Sequence, residues 1–507
     1  MRSEITSKTL ENLPVPPGRN YQQLFRTLPG FSPPGNAHSI PSNPSRALTF
    51  NVNGSSRSSN NTRIDGATST NVQLPWVSAY VPALESIETV NVVTNSFDAE
   101  QGLAGGAAIN VQTKSGTNQI HGSAFEYHTN QQLKAKPFFL PQGQGKPKLV
   151  NNQFGGTIGG PIRKDKLFYF LSYEGNFDRQ NASRFTTVPT AAIRRGDMSE
   201  SPRPIYDPNT GDAAGANRTA FPGNMVPSSR ISPISQKIVN LIPLPNLPGL
   251  TNNYFATGPF AFDRHTLDAK ANWNASSKLS AFVRFGALRW SDSAPQVFGD
   301  ALGGPPISGL AGNPGRGEGN TYSTTAAATY LISSSFIADA YVGWTAPESS
   351  SEQARLDEKI GLDFLGIPGT NGTGRLKGGW PRFQISDYTT VGINEDYMPY
   401  YRRDPQFQYV ANFSLIKGTH NIRFGMDTYR QHMNQIQEQF VGGAFHGGQG
   451  GFTFTGGPTV TRGGPSANQF NSYASFLLGL PANIGKLDLV PDEYTVRCHP
   501  LQLLCPR

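Results

Sequence analysis

From about Gly116 onward, apolar and polar side chains alternate in segments about nine to twelve residues long, the length a tilted strand needs to cross a hydrocarbon layer. In Thr266 to Trp273, Leu267, Ala269, Ala271 and Trp273 share one face, while Thr266, Asp268, Lys270 and Asn272 share the other. Tyr322, Thr324, Ala326, Ala328, Tyr330 and Ile332 repeat the pattern, and Phe336, Ala338, Ala340, Val342 and Trp344 repeat it again. Their aromatics sit near the segment ends, where a membrane interface would meet them. Phe407, Tyr409, Ala411, Phe413 and Leu415 form a further stripe, and Lys417-Gly418 turns the chain into Ile422, Phe424 and Met426, a short-turn hairpin. Leu279 to Trp290 does not conform, because Phe282, Leu288 and Trp290 share a face with Ser280 and Arg284. The direction of that strand is left open.

The first ~115 residues have a different texture. Leu24 to Gly30 reads as a short helical turn stopped by Pro29-Gly30, and Asn36 to Ser59 as Ser/Asn/Pro loop. Ser86 to Val93 and Ala107 to Lys114 are strand candidates. Between them, Ala99-Glu100-Gln101-Gly102 and Ala104-Gly105-Gly106 offer small residues that permit a tight turn and close approach of neighbouring chain, or form an ordinary loop. Pro202 to Leu250 and Ser291 to Asn320 read as long polar connections. A membrane barrel joins short turns on one side to long loops on the other, but a soluble β-sandwich also alternates. The pattern alone leaves both open.

Composition narrows the field. With 55 Gly, 40 Pro, 11% aromatic and only 15% charged residues, the chain is turn-rich and uncharged, as many-stranded β proteins are, and disorder driven by charge is excluded. The net charge of +8 comes from scattered residues, the densest groups being Arg163-Lys164-Asp165-Lys166 and Lys146-Pro147-Lys148, so no nucleic-acid partner is expected. Cys498 and Cys505 are the only cysteines, which rules out a disulfide framework spread through the fold. No run of 18 apolar residues exists for a spanning helix, and Met1 to Thr6 lacks the apolar stretch of a secretory signal.

Chemistry-bearing motifs are missing: His-Glu-x-x-His, Gly-x-Ser-x-Gly and the phosphate-binding Gly-x-x-x-x-Gly-Lys-Ser/Thr do not occur. The expectation is no enzyme, no catalytic residue, no cofactor and no metal site. Gly315 to Gly319 reads as loop; His121 and His128, seven apart, would face opposite sides of a strand. Asp207-Pro208-Asn209-Thr210-Gly211-Asp212 starts like a calcium loop but lacks the closing acid, and reads as a turn.

An ordered series of short motifs then selects a family. Asn53-Gly54, Arg63-Ile64-Asp65-Gly66, Glu85 to Glu88, Ala99-Glu100-Gln101-Gly102, Lys114-Ser115-Gly116-Thr117-Asn118 and His121-Gly122-Ser123 resemble the plug-to-barrel junction of TonB-dependent receptors, more narrowly the Oar-like branch. Phe154 to Pro161, Lys166 to Phe170, Arg195 to Ser199, Ile205 to Pro208, Phe221 to Asn224, Arg230 to Pro233 and Phe476 to Pro481 extend the likeness from about Leu13 to about Pro481.

The resemblance implies a mainly β fold: a transmembrane antiparallel β-barrel, present in part, with an N-terminal plug domain. Residues 1–117 would be the plug and 118–507 the barrel, the whole family barrel having about 22 strands around a plugged lumen. The plug motif residues are Asn53, Gly54, Asp65, Gly66, Glu100 and Gly102; the junction is Lys114, Ser115, Gly116, Thr117, Asn118, His121 and Gly122. It also implies an outer-membrane receptor, in a Gram-negative-type cell, that takes up a large or scarce substrate. Its partners would be outer-membrane lipid, an unknown small-molecule or oligomeric substrate, and TonB if a TonB box precedes the chain. No TonB box is recognisable here, and Val496 to Arg507 lacks an alternating strand ending in an aromatic residue, so the chain is expected to be a fragment or frameshifted product. Two other functions fit the same residues: a surface adhesion barrel without active transport, and a soluble extracellular β-sandwich such as a lectin.

Overall fold

A computed structural model describes residues 2–13, 18–36, 38–95, 97, 104–136, 138, 140, 143, 145–308, 313–374, 376–393, 398–437, 447–487, 494–498 and 501–504. Strands β1 (Arg2–Thr6), β2 (Asn61–Ile64), β3 (Ala67–Thr68), β4 (Ile87–Val93) and β5 (Ala108–Thr113) form a five-stranded sheet in the order β1-β4-β5-β2-β3. The period-two pattern sets its faces: Val90 and Val92 oppose Val111 and Ile109, and all four are buried. They pack on Tyr21, Leu24 and Phe25 from the helical turn Tyr21–Thr27, whose start is fixed by Asn20 accepting the Gln22 N–H at 2.9 Å. This inner unit supplies most of one apolar core, which wall residues complete.

The second sheet is a wall of long antiparallel strands. β6 (His121–Asn130), β7 (Leu149–Arg163), β8 (Leu167–Thr186), β9 (Tyr254–Asn274), β10 (Leu279–Ala294), β11 (Gly315–Ser333) and β12 (Phe336–Glu352) pair in chain order. Beyond a short strand β13 (Arg382–Ile385), β14 (Tyr400–Arg403) and β15 (Gln406–Lys417) both pair with β12, and β16 (His420–Gln437) follows β15. β17 (Gly451–Phe454) and β18 (Asn483–Gly485) join β13 in a small sheet. β19 (Tyr494–Cys498) and β20 (Leu501–Leu504) are short and pair antiparallel with β16. One end of the wall has short turns at 164–166, 275–278, 334–335 and 418–419, and the other end carries the long connections.

The outer face of the wall is apolar and the inner face polar. Leu267 and Trp273 are 40% and 51% exposed, whereas their neighbours Asp268 and Lys270 are 1% and 8% exposed. A soluble sandwich has the opposite polarity. β10 resolves the same way: Arg284, Leu288 and Trp290 are buried toward the inner unit while Val283 is 51% exposed. Its apolar face points inward because Leu288 and Trp290, with Phe260 and Phe262 of β9, complete the core around Tyr21 and Phe25.

Two connections differ from the sequence expectation. Gly315 to Gly319 is the start of β11, not a loop, and the wall extends to Ala294. The glycines fit because a Cβ on Gly317 would lie 2.2 Å from Asp292 Oδ1 and one on Gly319 2.0 Å from the Glu348 carbonyl. Pro202 to Leu250 is no solvated loop either. Met198, Ile205, Phe221, Val226 and Ile238 bury against Trp380, Phe383, Phe454 and Phe476, giving the long connections a second hydrophobic core.

Candidate functional site between the inner unit and the wall

Beside the apolar contact of Phe260, Phe262, Leu288 and Trp290, the inner unit meets the wall through buried polar groups. At the edge of β2, Asp65 takes a left-handed backbone (φ 47°) followed by Gly66 (φ 96°), which brings its carboxylate toward the end of β5 and the wall. There Asp65 Oδ1 accepts from the Thr113 N–H at 3.1 Å and from Lys270 Nζ at 2.9 Å; Lys270 also donates to the Thr113 carbonyl at 3.1 Å. Gly66 lies against the Tyr341 ring, a Cβ there falling 3.7 Å from it.

Two further contacts flank this pair. Arg63 of β2 donates to Asp427 Oδ2 of β16 and to the Tyr341 hydroxyl of β12, both at 2.9 Å. Gln408 Nε2 donates to both Asp427 oxygens while its Oε1 accepts the Thr68 N–H at 2.8 Å. Burial works against the Arg63 charge, but Tyr341, Tyr429 and Asp427 outweigh it and hold its pKa above the ordinary guanidinium value. On the other flank the wall supplies the acceptor. Asp268 receives the Tyr80 hydroxyl at 2.9 Å, Ser86 Oγ at 3.1 Å and the Ala83 N–H at 3.3 Å from the inner unit, and Arg284 Nη2 at 2.7 Å from its own sheet. Burial, then the neighbouring Asp268 carboxylate, raises the Tyr80 phenol well above its usual value.

The junction residues are pinned at one end to the inner unit and at the other to the wall. Lys114 donates its backbone N–H to the Ser86 carbonyl at 2.8 Å. A Cβ on Gly116 would sit 2.2 Å from the Tyr169 carbonyl and 2.6 Å from that of Gly160, so only glycine lets the chain pass there. Asn118 and Asp165 bond reciprocally at 2.6 and 2.8 Å, fastening the junction to the β7–β8 turn. Thr117 Oγ1 donates to the Gln119 carbonyl at 2.9 Å, as His121 Nδ1 contacts it at 3.0 Å, and Gly122 passes close over the Thr157 carbonyl. Ser115, Gly116 and Thr117 join Asp65, Gly66, Lys270 and Tyr341 in lining a cavity of about 720 Å³.

Not every motif residue gathers there. Asn53 and Gly54 make a turn (φ 51° and 76°) tied to Gly30 through the Asn53 N–H at 2.8 Å. Glu100 and Gly102 lie outside the described residues. His128 bonds Asn152 at 2.6 Å, and both Asp207 oxygens accept from Arg230 at 3.1 Å, which occupies the carboxylate of the calcium-like turn. Motif reading missed Lys270, Asp268, Arg284, Asp427, Gln408 and Tyr341. For all but Arg284, which shares its face with Phe282, Leu288 and Trp290, the available signal was a charged or polar residue in mid-strand, on the face opposite the apolar stripe.

A family model described as an outer membrane beta barrel domain matches residues 112–497. The TonB-dependent transporter Oar of Myxococcus xanthus is 36% identical over 138 residues, 26% of this chain and 13% of that protein. A probable TonB-dependent siderophore receptor, PirA of Acinetobacter baumannii, is 29% identical over 192 residues, 36% of this chain and 23% of that protein. Among solved structures, the outer membrane transporter YddB from Escherichia coli superposes with a TM-score of 0.49 at 11% identity, over 92% of this chain and 51% of YddB. The chain thus matches under a quarter of either curated relative and spans about half the length of that solved structure.

Proposed function

The chain belongs to the outer membrane β-barrel domain family and resides in the outer membrane of a Gram-negative cell, and on that premise we propose that it is the plug and adjoining wall of a TonB-dependent receptor that takes up a large or scarce substrate. In this reading residues 1–117 are the plug and 118–507 the barrel. The observation that carries it is the row of buried ion pairs and hydrogen bonds around Asp65–Lys270, Arg63–Asp427 and Tyr80–Asp268, which lies beside the apolar contact made by Phe260, Phe262, Leu288 and Trp290. A permanent structural contact is built most cheaply from apolar surface, because buried ion pairs recover little more than their desolvation cost. A contact that must part and re-form is better made of hydrogen bonds and ion pairs that water can replace.

Substrate would reach the plug from the side of the long connections, and TonB, by adding a strand to an extended segment, would pull the plug from the opposite side. Asp65, Arg63 and Asp268 would be the contacts that yield, and Lys114 to Gly122 the tether that stays fixed to the wall. No catalytic role enters this reading. Uptake by cells carrying the receptor tests it: D65N with R63Q should loosen the plug and admit normally excluded solutes, and unchanged exclusion would count against the proposal. A surface adhesion role draws on one observation, the packed lobe around Phe221, Trp380 and Phe476, and binding of cells to a surface in the absence of TonB would favour it.

A further inference from the structure

On the inner face of β7, β8 and β9, toward the long connections, a cavity separates the wall from the inner unit. Asn151, Asp178 and Phe262 lie side by side in one row, with Gln180 and Phe260 above them and Asn176 and Arg264 below. The segment Pro34 to Leu48 and the helical turn Tyr21–Thr27 bound the cavity from the inner unit. It encloses about 370 Å³, within the ~300–1,000 Å³ of small-molecule sites.

The charges that line it are unequally committed. Arg264 donates to Glu174 at 3.2 Å, and Arg26 turns back onto Gln23 Oε1. Among the described residues the Arg46 side chain makes no hydrogen bond or ion pair, and its Nη1 is buried without a partner. Asp178 Oδ2 accepts from Gln180 at 2.7 Å, but its Oδ1 is also buried without a partner. The neighbouring Arg179 is engaged elsewhere, with both forks on Asp263 at 2.6 and 2.8 Å. Arg46 further holds a left-handed backbone, φ 54°, which a residue with a side chain seldom adopts. Burial, then the charge of Arg264, lowers its pKa to about 10, while Asp292 and Asp178, which flank Phe262 in register, attract it without bonding it. A buried donor and a buried acceptor thus stand open in one cavity, a costly arrangement until something fills it.

We propose that this cavity binds a short zwitterionic peptide with an apolar side chain, its carboxylate on Arg46 and its amine on Asp178. As a substrate site it rests on the uptake reading above. A guanidinium presents a fork of donors that suits a carboxylate, and the free Asp178 oxygen suits an ammonium. Ile40, Leu48, Phe260 and Phe262 give the cavity apolar surface for the side chain. The amide side chains of Asn36, Asn151 and Asn176 offer the donors and acceptors that a peptide bond needs. An uncharged sugar would leave both Arg46 and Asp178 unpaired, and a fatty acid or other lone anion would leave Asp178 unpaired.

Isothermal titration of the full chain in mild detergent micelles tests this with three probes: the dipeptide Leu-Phe, its C-terminal amide and its N-acetyl form. Leu-Phe should bind saturably, and each cap should weaken binding at least tenfold. R46Q and D178N should weaken Leu-Phe to the same extent, with the amide costing nothing further in R46Q and the acetyl group nothing further in D178N. Absence of saturable binding to a β-rich protein at millimolar dipeptide would mean that water alone fills the cavity. Caps without effect on the unsubstituted chain would mean that the charges are not read, and either result overturns the proposal whether or not the variants fold. Binding in micelles without uptake of the dipeptide by cells sinks the transport reading and leaves the site standing. No binding by a chain whose plug still excludes solutes sinks this inference alone.

Discussion

Lys270, projecting inward from the middle of the wall, places its ammonium 2.9 Å from the Asp65 carboxylate and 3.1 Å from the Thr113 carbonyl that ends the inner sheet. Both partners are under a tenth exposed, so neither charge has water to fall back on. Removing one partner of such a pair costs about 3–5 kcal/mol, whereas replacing both with well-packed apolar groups is close to neutral. D65N alone should therefore destabilise the inner unit by about that amount, and D65N with K270M by much less. Urea unfolding of the four members of the cycle checks this, and additive losses would mean that the pair does not hold the unit.

At Gly116 the constraint is space and not charge. The backbone atoms of Gly160 and Tyr169 occupy the positions a side chain would need, and backbone cannot rotate away. G116A should cost about 1–3 kcal/mol by displacing the junction, and should expose the 114–122 segment to protease. G54A, where nothing lies within 4 Å, carries only the strain of its positive φ and leaves that segment protected. Equal cleavage of the two variants would contradict the assignment.

The lipid-facing assignment gives a sign that solvent exposure alone would not. Val283 is 51% exposed, and on a soluble protein V283R would change stability by no more than about 0.5 kcal/mol. On the lipid face near mid-belt the same change should cost about 2–4 kcal/mol. Refolding into lipid vesicles measures it, and a neutral effect would return the sandwich alternative to contention.

His38 supplies a pH dependence within the inner unit. Its Nε2 accepts the Trp76 indole N–H at 2.9 Å, which requires the neutral ring, and Arg57 covers Trp76 from 4.5 Å. Burial first, then the charges of Arg57 and Arg402, lower the His38 pKa below 6.5. Protonation thus favours the unfolded form: the contribution is complete above 6.5 and is lost as pH falls below that value. An NMR titration of His38 should show its midpoint below 6.5 and an upward move in R57A. A midpoint at or above 6.5 would contradict the packing described for this site.

The wall was legible because water and lipid enforce a strict two-residue rhythm, and Leu267 to Trp273 already displayed which side chains share a face, while which face is sheltered was decided by the motif resemblance. β10 was not, since the rhythm shows only that two faces differ, and Leu288 and Trp290 turn inward to serve a core contributed by distant residues such as Phe25. The second core was hidden for another reason. Met198, Ile205, Phe221 and Val226 are isolated among Pro, Gly and Asn, without a period, so their convergence is set by tertiary contacts alone. Asp65 stood out by its motif, but its partner Lys270 lies 205 positions away, and pairing at that distance leaves no local trace.

Hydrogen exchange of the full chain in lipid bilayers, read separately at β4–β5 and at β8–β12, tests most directly that a polar contact holds the inner unit in a wall that persists without it. In D65N with R63Q, the account predicts at least a hundredfold faster exchange in β4 and β5, which corresponds to about 2.7 kcal/mol of lost protection, with β8 to β12 unchanged. Exchange rising equally in the wall strands, or in neither group, would contradict it.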